Sequence, residues 1–156
     1  MTDDSAPIPI RQARATDVDA IRACAEQAYA PYIPRIGRAP APMAADFAAL
    51  VARGVVWVAT GADGGLLGFV SFWPEGDHVY LDSVAVRPEA AGRGLGKALI
   101  RFCEARARAN GFGTVALYTN AAMTENQRIY PRLGYVEVDR CEDDGFDRVF
   151  YEKRLT

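Results

Sequence analysis

The segment from Val84 to Ile100, VAVRPEAAGRGLGKALI, restricts the folds open to this chain more than any other. An apolar run ends at Val86, Pro88 turns the chain, glycines stand at 92, 94 and 96, and a helical repeat begins. A strand that feeds a helix in this way belongs to a sheet with helices packed on it. Glycine lets main-chain N–H groups approach a bulky anion because no Cβ intervenes. A helix start adds unpaired donors and roughly half a positive charge. Arg93 and Lys97 supply side-chain cations, so the segment is a candidate phosphate cradle. The other reading of the same glycines is close packing of helix on strand.

Two phosphate-binding patterns fail on the letters. A P-loop would need Gly where Ala91 stands and Ser or Thr where Ala98 stands. A dinucleotide fingerprint needs the spacing GxGxxG near the first strand and an acid about 20 residues on. Here the spacing is GxGxG, it follows the fourth strand, and the next strand, TVALYTN, carries no acid.

The elements around it follow from periodicity. Ile8–Ala13 reads as a first strand. Thr16 to Asp19 reads as a capping box, and Val18, Ile21 and Ala25 continue as a helix to Tyr29. Pro31, Pro34, Pro40 and Pro42 predict a stiff loop. Met43, Phe47, Leu50 and Val51 mark a second helix that Gly54 ends. Val55–Thr60 and Leu66–Trp73 are strands joined by GADGG, and Val79–Val86 is the next strand after a turn at Pro74–Asp77. With no helix between them, these three are antiparallel. A helix from Gly92 to Asn110 then leads to the strand Thr114–Thr119, for which a parallel crossover is the natural geometry. A short helix, Glu125–Leu133, and the strands Tyr135–Arg140 and Arg148–Lys153 follow. The order is β-α-α-β-β-β-α-β-α-β-β.

With 156 residues, half of them hydrophobic and 24% charged, the chain suits one domain, residues 1–156. A net charge of −2 offers no basic excess for nucleic acid or an anionic membrane. The cysteines at 24, 103 and 141 form no CxxC and no even framework, which fits a reducing compartment. The opening MTDDSAPIPI lacks the pattern of a signal peptide, and no apolar run spans a bilayer, so a cytoplasmic location is expected. A single histidine, His78, and the absence of HExxH or a Cys/His cluster argue against a metal site.

The glycine segment resembles the coenzyme A loop of the GNAT superfamily of acyl-CoA-dependent N-acyltransferases. Val84–Gly96 is similar to that family's strand followed by Q/R-x-x-G-x-G/A. One helix and one strand later, Asn126 to Tyr135 is similar to its N-x-x-x-Y-x-x-x-G-F/Y segment, with Tyr130 and Gly134 in register. The likeness extends over nearly the whole chain and is weakest before Val55. One departure is Ala91, where the family commonly has Gln or Arg; that leaves the backbone donors as the pyrophosphate contact. The resemblance implies an α/β (α+β) fold with a mixed, mostly antiparallel sheet of about seven strands and helices on both faces.

It also implies transfer of an acetyl group from acetyl-CoA to a primary amine. The alternative is a silent coenzyme A sensor of the same fold. By similarity, a bulged fourth strand splays from the fifth. The pantetheine arm pairs near Val84, Ala85 and Val86, and the pyrophosphate sits over Gly92, Arg93, Gly94, Leu95, Gly96 and Lys97. Asn126 reaches the pantetheine or the region of the sulfur, and Tyr130 stands near the sulfur as general acid. Strand alternation places Tyr80, Asp82, Val84 and Val86 on one face. Asp82 is then either the base for the amine or a hydrogen-bonded strand carboxylate; His78 is a weaker candidate. Tyr32, Arg35 and Arg38 either meet the acceptor, a small-molecule or peptide amine, or belong to a rigid loop. Homodimers are a habit of that family.

Overall fold

The computed structural model describes residues 8–39, 43, 45–143 and 145–155; the side chains at 125, 126 and 143 are outside that description. The elements are β1 (Ile10–Gln12), α1 (Val18–Tyr29), α2 (Ile33–Ile36), α3 (Phe47–Ala52), β2 (Val56–Thr60), β3 (Leu66–Glu75), β4 (His78–Val86), α4 (Leu95–Ala109), β5 (Thr114–Asn120), α5 (Thr124–Arg132), β6 (Val136–Asp143) and β7 (Phe146–Arg154). They form one seven-stranded sheet in the order β1-β2-β3-β4-β5-β7-β6. Every neighbouring pair is antiparallel except β4–β5, which is parallel across α4. The expected mixed sheet and crossover are both present.

Two apolar cores sandwich the sheet. Ile21, Cys24 and Ala25 of α1 and Phe47 and Val51 of α3 meet Val56, Val58 and Phe69 on one face. Leu95, Leu99, Ile100 and Cys103 of α4 meet Val70, Phe72, Leu81 and Val115 on the other, where Tyr130 of α5 also packs. Leu99 is fully buried; burial of such a side chain contributes roughly 1.5–3 kcal/mol.

Several local expectations are corrected. The carboxylate of Asp17 accepts the Arg14 N–H at 2.7 Å, so the helix cap sits two residues before the expected Thr16–Asp19 box. A bidentate pair from Arg11, at 2.8 and 2.9 Å, holds Asp17 there. The proline loop is partly helical: Pro31 and Pro34 each open a turn, the second being α2, because proline pre-sets the first helical φ. Pro40 and Pro42 lie outside the described residues. Pro74 stays in β3, and the β3–β4 turn tightens to Gly76 and Asp77. Helix α4 starts at Leu95 rather than Gly92.

Strand β4 is bulged, as the resemblance implied, and the bulge corrects the strict side-chain alternation expected along it. Ser71 pairs with Ser83 and Phe72 with Leu81, which leaves Asp82 as an extra, bulged residue. Side chains therefore change phase across it. Val79 and Leu81 enter the α4-side core, and Val84 and Val86 pack on that same core. Tyr80 and Asp82 do not share a face with Val84 and Val86. The simple alternation fails because one unpaired residue inverts a period of two.

Candidate active site

Strands β4 and β5 pair only at Val79–Val115 and Tyr80–Ala116. Beyond the bulge β4 leaves β5, which pairs on with β7 as far as Asn120–Arg148. The main-chain N–H of Arg87 donates to the Leu67 carbonyl at 2.8 Å. That phase turns Ser83 and Ala85 toward β3 and puts the polar backbone of Val84 and Val86 on the opposite edge, inside the V.

At the mouth of the V the main chain is left-handed at Gly92 (φ 84°) and Gly94 (φ 74°). Gly94 is the N-cap of α4 and, having no side chain, supplies no capping hydrogen bond to the first helical N–H groups. The first helical bond runs from Ala98 N–H to the Gly94 carbonyl, 3.0 Å. The N–H groups of Leu95, Gly96 and Lys97 thus have no intrahelical acceptor. A cavity of about 360 Å³ joins Val84–Val86, Gly92, Gly94, Leu95–Lys97 and Tyr130. Ala90, Ala91, Ile100 and Ile129 complete its wall. Arg93 is exposed beside the loop and is not part of that wall.

Tyr130 is 6% exposed, with its ring edge-on to Tyr135 and tilted on Tyr151, both at 5.7 Å. Burial pushes its phenol well above the ordinary tyrosine range, with Tyr151 adding to the effect. It therefore carries a proton at any physiological pH. Asn126 lies in the first turn of α5, and its side chain is outside the described residues.

Asp82 is reached through the bulge. The Ser71 hydroxyl donates to its Oδ2 at 3.0 Å and lies 2.9 Å from the Ser83 hydroxyl. Desolvation raises the carboxyl above its ordinary value, against the Ser71 bond and the Arg53 charge, which pull it down. His78 sits at the β3–β4 turn, 3.1 Å from Asp77, and does not line the cavity.

The acceptor candidates are placed elsewhere. Arg35 lies over Tyr32 at 5.1 Å, and Arg38 lies over Phe146 of β7 at 3.7 Å. None of the three lines the cavity. Arg35 and Tyr32 stay within the α2 segment, and Arg38 joins that segment to the β6–β7 hairpin instead.

Tyr29 was invisible to the sequence reading. Its hydroxyl donates to the Val84 carbonyl at 3.0 Å, at the point where β4 leaves β5. Burial raises its pKa, as do the neighbouring Tyr130 and Asp82. The only signal in the letters was an aromatic at the last helical position of α1, which reads as core.

A parallel pair that opens into a V, with a glycine-opened helix start at its mouth, defines the acetyltransferase class of mixed α/β folds. The chain belongs to the acetyltransferase (GNAT) family, whose profile matches residues 21–135. Solved structures agree in fold. A PaiA N-acetyltransferase from Thermoplasma acidophilum, in complex with coenzyme A, superposes with a TM-score of 0.79 at 17% identity, over 96% of this chain and 100% of that one. A phosphinothricin acetyltransferase from Sinorhizobium meliloti, in complex with AcCoA, gives 0.70 at 22% identity over 95% and 88%. An IAA acetyltransferase from Bacillus cereus gives 0.71 at 16% identity over 96% and 100%. The curated proteins contain no sequence match to this chain. Among the described residues, no helix is long and apolar enough to cross a membrane.

Proposed function

We propose that this chain transfers the acetyl group of acetyl-CoA to a primary amine. The observation that carries this reading is the single cavity that joins the free β4 edge, the open N-terminus of α4 and Tyr130. Its chemistry matches the donor from end to end. The N–H groups of residues 95–97 and the Lys97 ammonium suit a pyrophosphate. The exposed edge at Val84 and Val86 suits the amides of a pantetheine arm, which adds to it like a strand. Tyr29 braces that edge through its bond to Val84.

The proposed reaction proceeds by direct attack. Asp82, whose raised pKa brings it closer to that of an amine, takes the ammonium proton directly or through water. The neutral amine adds to the thioester carbonyl. Charge builds on the oxygen, where backbone N–H groups stabilise it. The C–S bond breaks, the departing thiolate takes the Tyr130 proton, and the second proton leaving the nitrogen restores the phenol. A thiol pKa of about 8.5 makes that proton worth supplying near neutrality.

Thiol release from acetyl-CoA across a panel of amines tests the reading. Amine-dependent release is expected, and binding of acetyl-CoA without release would instead mark a sensor. Tyr130→Phe is expected to lower kcat by about 10²-fold or more, the usual scale for one positioned acid. The Kd for acetyl-CoA should change little. Full turnover in that variant would reject the acid role.

A further inference from the structure

Besides its two cores, the sheet carries a row of aromatic rings that belongs to neither. Trp73 of β3 meets Tyr80 of β4 at 5.5 Å. Tyr80 stacks on Tyr118 of β5 at 6.0 Å with planes 16° apart, and Tyr118 meets Phe150 of β7 at 5.7 Å. All four rings are part-buried, and none is a member of either apolar cluster. The cross-strand pairs Trp73–Tyr80 and Tyr118–Phe150 put the row on the α1 face of the sheet. There α1 packs on β3 and β4, and among the described residues no helix packs closely on β5 or β7 from that side.

Asp82 stands on the same face. The bulge turns its carboxylate to Ser71, whose side chain shares the α1 face with Trp73 two residues on. Tyr80 is two residues from Asp82 along β4. The row therefore starts beside the proposed base and runs away from it across three strands. Guanidinium groups overlie it and its extension: Arg53 over Trp73 at 4.8 Å, Arg148 over Tyr118 at 4.2 Å, and Arg38 over Phe146 at 3.7 Å. Ring faces already beside fixed cations repel a polycationic guest. The ring edges between those covered faces suit the face of a flat ring without further positive charge.

We propose that this row is the acceptor platform, and that the acceptor is a primary amine on an aromatic body that carries no second cation. The inference rests on the transferase reading for the position of the amine. The ring packs against the edges of Tyr80 and Tyr118, and the amine reaches back to Asp82.

The test compares 2-phenylethylamine, butylamine and spermidine by thiol release from acetyl-CoA. The expected result is a kcat/KM for 2-phenylethylamine about tenfold above butylamine, the scale of one ring–ring contact, with spermidine the poorest. Tyr118→Leu should abolish the preference while the KM for acetyl-CoA is unchanged. Phe150→Leu serves the same purpose should the first variant fold poorly. Turnover in which butylamine or spermidine matches or exceeds the aromatic amine overturns the platform and leaves the transferase reading intact. No release with any amine overturns the transferase reading. The platform is then decided by Trp73 fluorescence in the Trp57→Phe protein. Quenching by 2-phenylethylamine that Tyr118→Leu abolishes keeps it, and no quenching overturns it.

Discussion

At Gly92 and Gly94 the backbone is left-handed, and a Cβ at either would meet nothing within 4 Å. These glycines are required by φ, not by crowding. Gly96 is different: its φ is ordinary, and an added Cβ would touch Val86 Cγ2 at 3.8 Å, an easy contact. Gly94→Ala is therefore expected to cost about 1–2 kcal/mol, the penalty of a left-handed alanine. Gly96→Ala should leave stability unchanged or raise it by about 0.5 kcal/mol. Its methyl nonetheless stands in the cavity wall, so acetyl-CoA should bind more weakly. Thermal melts beside calorimetric titration check both; a Gly96→Ala protein that melts early, or binds acetyl-CoA normally, would contradict this division. Asp82 carries the pH dependence. Burial raises its carboxyl, so between the unfolded value near ~3.9 and the higher folded value the native state holds a proton that the unfolded chain has lost. Stability from this group is complete below the ordinary carboxyl range and is lost as pH rises through the raised value. Asp82→Asn should accordingly melt above the parent at pH 7–8 and lose that advantage in acid. Its acetyl transfer should lose the limb that rises with Asp82 ionisation. Melting curves and rate profiles across pH give both readouts.

At the level of elements, sequence periodicity located all seven strands and both long helices, because each has an amphipathic or apolar run longer than its ambiguity. The glycine loop and the crossover were equally legible, since left-handed residues and a helix between two strands leave marks in the letters. The place of the β4 bulge was not: the resemblance implied a bulged fourth strand, but SFWPEGDHVYLDS contains no residue that announces the unpaired position, and only pairing with β3 exposes Asp82. Tyr29 was hidden for a related reason, because its partner, the Val84 carbonyl, is backbone and 55 residues away. Gly68 is a third case. Inside LLGFV it looks like a weak strand residue, yet a Cβ there would meet the Ala85 carbonyl oxygen at 2.7 Å and Leu99 Cδ1 at 3.3 Å. Its missing side chain lets α4 sit down on β3 and β4, which holds the helix start against the β4 edge. Backbone cannot yield to the new methyl, so Gly68→Ala is expected to cost about 1–3 kcal/mol, as overpacked cores do. It should also weaken acetyl-CoA binding, in contrast to a surface glycine such as Gly64, where a Cβ would meet nothing. Denaturant midpoints of Gly68→Ala near the parent value would show that α4 can shift without loss.

Across the whole molecule, the site needs α4, α5 and β7 held in one frame, and a buried charge cluster joins them. Glu104 of α4 is 2% exposed. Its Oε2 accepts the Tyr135 hydroxyl at 2.9 Å, and its Oε1 accepts from Lys153 Nζ of β7 at 3.1 Å. Tyr135 in turn packs edge-on against Tyr130, so the cluster backs directly onto the proposed acid. The pair's net contribution is small, because both ions lost their water on burial, but removal of one partner strands the other. Lys153→Met is thus expected to destabilise the protein by about 3 kcal/mol, a drop in Tm of roughly 6–12 °C for a chain this long. Glu104→Leu with Lys153→Met removes both charges and should recover most of that loss. The Tyr135 hydroxyl is then the one polar group left without its acceptor, and Tyr135→Phe added to the pair should bring stability back to the parent level. Equal melting temperatures for the single, double and triple variants would mean that the ion pair does not hold these three elements together. If Tyr130 depends on the frame, kcat should fall in Lys153→Met at temperatures well below its melt, and return in the triple variant.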